Sequence, residues 1–340
     1  MHERWRQVVA LLLVARTPLV FAAISNVWLM MWLARDGLEP VAQVNRALLE
    51  LPLGLLLALT AVLAAGLHCY GSALNDALDA RHDRLFHPYR PLPRGVVGTS
   101  RVVILAMCCL LGALLAAVML GPATVVLSIT VALLALFYNT VGKFVPAIAF
   151  VTLGLIRAGL MFAPNPGLTF IWPIWLAMTH VIACMAIAHD LQGKRPPLSG
   201  SQIWPLTAGW VFWTMALIVW MGVHGQALPE HLVWMWVVPA MPAIVFAVIT
   251  WFIVERAAGE SRRARRQRGN RFAHLAILWL ILYDAGWLFG AGLILQGWLH
   301  LALFIVAIGG SRLLGSQRLA PEPPHGYTVT ERKENEQQEQ

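Results

Sequence analysis

Residues 51–83 read LPLGLLLALTAVLAAGLHCYGSALNDALDARHD, an almost unbroken apolar run that ends in three aspartates. A run of this length predicts an α-helix that crosses a bilayer, for which about 20 apolar residues suffice. The aspartates occupy positions 76, 79 and 83. If the helix continues through them, the three carboxylates project from one face, where they repel one another and favour a bound cation.

The acids predict a magnesium site. Asp76, Asp79 and Asp83 offer only oxygen donors, and Asn75 beside them adds a neutral one. Oxygen donors favour Mg²⁺ over zinc or copper, and Mg²⁺ usually completes its shell with water and substrate phosphate. The pattern therefore also predicts a phosphorylated ligand. A solvated helix end with Asp–Arg pairs is the alternative that spacing alone leaves open.

The composition predicts a polytopic membrane protein. Of the 340 residues, 59% are hydrophobic and only 12% are charged, against about 25% charged in soluble domains. Nine apolar runs approach the length of a membrane span. They are residues 8–33, 48–71, 102–120, 122–139, 145–163, 171–189, 203–223, 231–254 and 272–295. A shorter run, 298–314, is either a tenth span or an interfacial helix. We therefore expect an all-α bundle of about nine transmembrane helices.

Cations lie on alternate loops, which predicts the orientation in the membrane. If the N-terminus is cytoplasmic, so are residues 71–101, Lys143, Lys194 and the basic run 256–271. This is the positive-inside pattern, and it suggests a bacterial inner membrane with the aspartates on the cytoplasmic side. The net charge of +8 is explained in this way without nucleic acid. Residues 320–340 are polar and rich in Pro, Glu and Gln, which predicts a disordered tail after a membrane domain of residues 1–319.

The loop after the aspartates carries cations in a stiff backbone. Three prolines between residues 88 and 93 forbid a continuous helix and hold Arg90 and Arg94 in place. Guanidinium groups match phosphate oxygens with a forked geometry that lysine lacks. We expect both arginines to bind phosphate, although arginines here also serve the positive-inside rule, and Arg101 fits that second role best.

Residues 75–95 closely resemble the first signature of the UbiA superfamily of intramembrane aromatic prenyltransferases, Asn-Asp-x-x-Asp-x-x-x-Asp followed by Arg-Pro-Leu-Pro-x-Gly. Tyr138 and Lys143 match that family's Tyr-Ser-x-x-x-Lys/Arg element, and Arg16 with Pro18 is similar to its Arg-Pro in the first helix. The resemblance covers roughly residues 8–295.

The family's second acidic motif is degenerate in this chain. Aligned on Asp190 and Gly193, the motif retains one acid, and Ile187 and Lys194 stand where carboxylates are expected. In the family this motif binds a second Mg²⁺. Either Lys194 supplies the missing positive charge to the phosphate, with Asp190 holding it four residues away, or the diphosphate chemistry is lost. A purely structural Asp190–Lys194 pair gives the same sequence.

The resemblance implies a helical bundle around a central cavity capped by residues 71–101 and 187–202. It implies that Mg²⁺ at Asp76, Asp79 and Asp83 binds a polyprenyl diphosphate, whose prenyl group passes to an aromatic or other lipophilic acceptor. The implied site has catalytic and substrate-binding side chains besides the metal ligands: Tyr138, Asp190, Asn75, Arg90, Arg94, Lys143, Lys194 and Arg16. No protein partner is indicated.

Other functions within the family stay open. Residues 87–91 resemble both the chlorophyll-synthase branch and the branch that transfers phosphoribose to polyprenyl phosphate. A relative that binds lipid without catalysis is a further alternative.

Ionisable groups within the spans have two possible roles. Arg157 and Asp284 either line the cavity or form a buried pair, whereas we expect His68 and His180 to be packed and hydrogen-bonded.

Overall fold

The structure is a computed structural model, and it describes residues 2–36, 44–86, 90–224 and 233–316. Within these ranges all regular structure is helical, and no strand occurs. A 3-10 turn, Gly142–Phe144, joins two of the helices. The helices are α1 (His2–Val14), α2 (Thr17–Arg35), α3 (Arg46–Glu50), α4 (Leu53–Leu78), α5 (Ala80–Phe86), α6 (Thr99–Leu120), α7 (Pro122–Thr140), α8 (Pro146–Phe162), α9 (Trp172–Leu191), α10 (Gly200–His224), α11 (Trp234–Ala258), α12 (Arg262–Gly290) and α13 (Ile294–Ser316).

Nine of the described helices are long and apolar enough to cross a membrane: α2, α4, α6, α7, α9, α10, α11, α12 and α13. The predicted all-α membrane fold is therefore confirmed. The set of nine differs from the predicted one in two places. The run 145–163 forms α8 with only 17 residues, while the run 298–314 is extended into a full-length helix, α13. The predicted tail, 320–340, lies outside the described residues.

The predicted first span, 8–33, is not one continuous helix, so that prediction is wrong. α1 ends at Val14 and α2 begins at Thr17, and Arg16 between them is left-handed, with φ 50° and ψ 44°. Pro18 stands in the first turn of α2, where its missing N–H costs nothing, whereas inside a helix it would clash with the preceding turn. The break leaves α1 with 13 residues and releases the side chain of Arg16 from the helix surface.

α2 and α12 are the inner helices of the bundle, and their apolar side chains are mostly buried. α10 and α11 bury few of theirs, so most of their large apolar side chains face outward, as lipid-facing helices do. α12 approaches α9 very closely at Gly269. A Cβ there would lie 2.9 Å from Leu191 Cβ, so a larger residue would push the two helices apart.

A buried polar cluster crosses the inside of the bundle. Asp284 of α12 accepts hydrogen bonds from Ser25 Oγ at 2.5 Å and from Asn26 Nδ2 at 2.7 and 2.9 Å, both in α2. Arg157 of α8 donates to the amide oxygen of Asn26 at 3.0 Å. Arg157 and Asp284 are thus linked through a neutral side chain, and in the described part of the chain they form no direct salt bridge.

The two histidines His68 and His180 differ. The ring nitrogens of His180 lie 2.9 Å from the carbonyl oxygen of Ala276 and 3.0 Å from the hydroxyl of Tyr283, as predicted for a packed histidine. His68 does not follow that prediction, because its buried Nε2 has no hydrogen-bond partner among the described residues.

Candidate functional site

The three aspartates lie at one end of the bundle, which we call the acidic end. α4 stops at Leu78, Asp79 caps it with φ −84° and ψ 2°, and α5 starts again at Ala80. The amide of Asp83 still donates to the carbonyl of Asp79 at 2.8 Å across this break. The expected continuous helix is therefore interrupted at Asp79, although Asp76 and Asp83 still lie within 4 Å of the same Arg90 nitrogen. Asp76 and Asp83 are buried, with 8% and 2% of their surface exposed.

Each carboxylate faces a cation that comes from another part of the chain. Arg90 Nη1 lies 2.6 Å from Asp83 Oδ2 and 3.9 Å from Asp76 Oδ1. Arg16 Nη2 lies 3.6 Å from the same Asp76 oxygen. Lys143 Nζ contacts Asp79 Oδ1. Pairing with cations thus offsets the repulsion among the acids that their spacing predicts.

Local backbone features deliver these cations. Arg16 reaches Asp76 from the left-handed break between α1 and α2, and Lys143 reaches Asp79 from the 3-10 turn. Arg90 begins a turn in which the amide of Arg94 donates to its carbonyl at 3.1 Å. The side chain of Arg94 is exposed, and among the described residues it is not in salt-bridge contact with any carboxylate.

The acidic end fits Mg²⁺ by donor type but is not a ready-made cage. Within the part of the chain that the structure describes, no group of three or more His, Cys, Asp or Glu side chains converges as metal ligands would. Mg²⁺ characteristically takes one or two protein carboxylates and leaves the rest of its shell to water and phosphate. The all-oxygen set of Asp76, Asp79 and Asp83 suits that habit if the paired cations turn toward the phosphate.

Tyr138 and Asn75 stand beside the acids. Tyr138 is half-buried in the last turns of α7, within electrostatic reach of both Arg16 and Asp79. The amide nitrogen of Asn75 lies 3.4 Å from Asp76 Oδ1, at the long end of hydrogen bonding. Both predicted residues are therefore brought to the acidic end.

Asp190 pairs with an arginine that the sequence reading did not assign to the site. Arg265 Nη2 of α12 lies 2.7 Å from Asp190 Oδ2, and 64% of the aspartate side chain is exposed. The Asp190–Lys194 pair considered from the sequence is thus replaced by an Asp190–Arg265 pair. The close approach of α9 and α12 at Gly269, one turn beyond Arg265, explains how the two meet.

Lys194 sits among cations rather than beside Asp190. The residue as a whole is exposed, yet enough protein surrounds its ammonium group that desolvation lowers its pKa. Arg16, Arg90 and Arg266 lower the pKa further, and Asp79 opposes them. Lys194 therefore lies close to the same arginines that pair with the first acidic motif.

The acidic end carries excess positive charge. Four of its cations contact carboxylates, and Lys194 and Arg266 add charge within electrostatic reach, so cations outnumber the four carboxylates among these described residues. The cations are Arg16, Arg90, Lys143, Lys194, Arg265 and Arg266, set against Asp76, Asp79, Asp83 and Asp190.

Four side chains were missed from sequence. The sequence predicts Arg265 and Arg266 only as part of the basic run that sets the orientation in the membrane, and it carries no signal that one of them pairs with Asp190. Ser25 and Asn26 give a clear signal, since two adjacent polar residues inside an apolar span are rarely without a buried partner.

Comparison with known proteins adds to this geometry. The model of the UbiA prenyltransferase family matches residues 19–266. A structure described for digeranylgeranylglyceryl phosphate synthase in membranes superimposes with a TM-score of 0.51 at 15% identity, covering 84% of this chain and 98% of that one. The apo structure of a UbiA homologue from Aeropyrum pernix K1 gives 0.52 at 17% identity, covering 78% and 96%. Among curated proteins, no sequence matches significantly.

Proposed function

This chain belongs to the UbiA prenyltransferase family, and on that premise we propose that it moves a polyprenyl group from its diphosphate to an aromatic or other lipophilic acceptor within the membrane, with Mg²⁺. The observation that carries the proposal is the acidic end itself. Three carboxylates are paired with cations there, and further cations lie within electrostatic reach. Diphosphate is an anion that such a site favours.

The residues of the acidic end have complementary roles in binding the diphosphate. Asp76, Asp79 and Asp83 would hold Mg²⁺, with Asn75 beside them, and the ion when bound supplies positive charge that favours departure of the diphosphate. Arg16, Arg90 and Lys143 already lie against these carboxylates, so each needs only a short side-chain movement to reach a phosphate oxygen. Arg94, exposed in the turn that begins at Arg90, would add positive charge for the same phosphate.

Lys194 and Arg266 supply positive charge from the second loop. Charge grows on the diphosphate oxygens as the bond to the prenyl group breaks, and cations fixed beforehand near those oxygens stabilise that state. The Asp190–Arg265 pair holds the end of α9 against α12, which positions Lys194 at the next turn. In this reading Lys194 takes over charge that a second metal ion would otherwise provide.

Tyr138 and the apolar bundle protect the prenyl cation. The tyrosine ring lies near the acidic end at the last turns of α7, where its face can stabilise positive charge on carbon. The surrounding spans exclude water, so the lipophilic acceptor captures the cation instead.

The loop charges support an orientation with the N-terminus and the acidic end in the cytoplasm of a bacterium. The contacts of Lys143 with Asp79 and of Arg265 with Asp190 gather the basic loops at one end, as that orientation requires. Single cysteines introduced in residues 255–271 are then expected to resist impermeant thiol reagents in intact cells, and ready labelling there would reverse the orientation.

The test is product analysis with purified protein. We would incubate it with Mg²⁺, prenyl diphosphates of several chain lengths and a panel of aromatic and lipid acceptors, then examine the lipids by mass spectrometry. The expected product is a prenylated acceptor with release of diphosphate. Transfer of phosphoribose to a polyprenyl phosphate in a parallel incubation, with no prenylated acceptor, would replace the proposal by that activity.

A further inference from the structure

The connection between α11 and α12 is strongly basic. Residues 255–271 hold seven arginines and two glutamates, which gives the segment a net charge of +5. The segment spans the last residues of α11, which ends at Ala258, and the first turns of α12, which begins at Arg262. We call it the basic hairpin. Because its Arg265 contacts Asp190, the basic hairpin lies beside the acidic end of the bundle.

Some arginines of the basic hairpin make contacts within the protein. Arg265 and Arg268 each pair with an acid, Asp190 and Glu260 respectively. Arg266 lies within electrostatic reach of the acidic end. These interactions fix the basic hairpin to the bundle, and they account for only part of its charge.

Other arginines of the basic hairpin are left to the surroundings. Arg256, Arg262 and Arg271 are exposed, and in the described part of the chain none of the three forms a salt bridge with an acid. An exposed guanidinium without an acidic partner in the protein is available to an anion outside it. Phosphate oxygens suit it best, because they match its forked set of donors.

Two aromatic side chains of α11 indicate the depth of these arginines in the membrane. Trp251 and Phe252 are 61% and 46% exposed, and aromatic rings at the end of a span mark the boundary between hydrocarbon and headgroups. At a rise of about 1.5 Å per residue, Arg256 lies about 6 Å beyond Phe252. The headgroup layer is about 5–7 Å thick on each side of a bilayer, so Arg256 stands within it, as does Arg262 across the turn.

We propose that the basic hairpin binds the phosphate headgroups of anionic phospholipids through Arg256 and Arg262. The lipids lie in the leaflet that surrounds the acidic end, and their acyl chains follow the exposed apolar side chains of α11, such as Ile244 and Val248. The positive-inside pattern explains why positive charge lies at this end, whereas the headgroup depth of the exposed arginines identifies what they contact.

The test measures lipid binding to the purified protein by native mass spectrometry. The probes are dioleoyl phosphatidylglycerol and dioleoyl phosphatidylcholine, which differ only in the headgroup. We expect the wild-type protein to bind phosphatidylglycerol about tenfold more tightly or better. One arginine near an anionic headgroup contributes about fivefold in affinity, so Arg256→Gln combined with Arg262→Gln should weaken binding of phosphatidylglycerol about 25-fold. Binding of phosphatidylcholine should change less than about twofold, since its headgroup has no net charge.

Arg81→Gln combined with Arg84→Gln is the matched control. It makes the same change in net charge at exposed positions of α5, outside the basic hairpin, and it should leave the affinity for phosphatidylglycerol in place. Arg256→Lys combined with Arg262→Lys keeps the charge and should retain most of the affinity. Equal losses in the two glutamine variants, a lysine variant as weak as the glutamine one, or equal binding of the two lipids by the wild-type protein would each overturn the inference.

Two competitors identify the source of the phosphate. Glycerol 1-phosphate carries the charged group without acyl chains, and at about hundredfold excess it should displace little phosphatidylglycerol, because a lipid also buries its chains against α11. Complete displacement would indicate a site for a soluble phosphate compound and contradict the lipid. Tighter binding of a short oligonucleotide than of phosphatidylglycerol would make the basic hairpin a nucleic-acid surface instead. None of these measurements involves a prenyl substrate, so they do not depend on the proposed transferase function.

Discussion

The acidic end and the buried polar cluster handle opposite charges in different ways. At the acidic end, carboxylates and cations touch directly, and the cations are partly exposed: Arg16 keeps 42% and Arg90 33% of the side chain accessible. In the cluster, Asn26 stands between Arg157 and Asp284, and the acid is held by neutral donors. The first arrangement suits cations that must exchange a carboxylate for a ligand. The second fixes three helices, because desolvated groups that lose a partner destabilise the fold.

The largest effect on activity is expected when a predicted metal ligand of the acidic end is removed. Asp79→Ala should lower turnover at least 1000-fold, about 4 kcal/mol of transition-state stabilisation, because it removes a metal ligand, and the protein should remain folded. Prenyl transfer and circular dichroism on the same preparation measure both consequences. Full activity of the variant, or activity in excess chelator, would contradict the assignment of a metal to these acids.

Removing the buried acid Asp284 should instead lower the stability of the fold. Asp284→Ala leaves Arg157 without its compensating acid and should cost on the order of 3–5 kcal/mol of unfolding free energy. The matched control is Asp190→Ala, which removes an exposed acid from a pair with Arg265 and should cost less than about 1 kcal/mol. Unfolding in mixed detergent micelles compares the two. Equal costs would mean that the cluster is no more important to the fold than the exposed pair.

Lys194 tests the role of the acidic end further, because it is a cation there that is not paired with a carboxylate. Lys194→Ala should cost about 2–4 kcal/mol of transition-state stabilisation if the lysine neutralises the leaving diphosphate. Its lowered pKa means that the ammonium loses its proton at a lower pH than an ordinary lysine. The high-pH limb of kcat/KM should therefore disappear in Lys194→Arg, whose guanidinium stays charged.

The measurement for Lys194 is kcat across a Mg²⁺ titration and a pH series. Arg195→Ala, which changes the neighbouring exposed cation, is the control and should leave both profiles in place. An unchanged kcat with an unchanged Mg²⁺ dependence in Lys194→Ala would show that Lys194 does not replace the charge of a second metal ion. Lys194 would then be a surface residue without a role in catalysis.

The spans and the first acidic motif could be predicted because each depends on residues close in sequence. An apolar run such as residues 102–120 predicts a membrane-spanning helix, and the spacing of three acids predicts a bound cation. The partners of those acids could not be predicted, since Lys143 lies 64 residues beyond Asp79 and Arg265 lies 75 beyond Asp190. Their meeting depends on how helices pack, and the approach at Gly269 is visible only in three dimensions.

The break at Arg16 shows a further limit. Hydropathy does not reveal the break, because the apolar run continues on both sides of it. Pro18 alone is also compatible with a kinked but continuous helix. The unpartnered nitrogen of His68 is a limit of the same kind. A histidine in an apolar span is usually satisfied by its neighbours, and only the placement of those neighbours reveals the exception.

Position 16 is where stability and function pull in opposite directions. The left-handed backbone there suits glycine and costs an L-residue with a side chain roughly 1–2 kcal/mol. Yet the residue is an arginine, and its guanidinium reaches Asp76 from that strained turn. Selection for a more stable protein would favour glycine at this position and would give up a phosphate-binding charge in the exchange. An arginine kept in a backbone that disfavours it is thus a trade-off that folding alone does not explain.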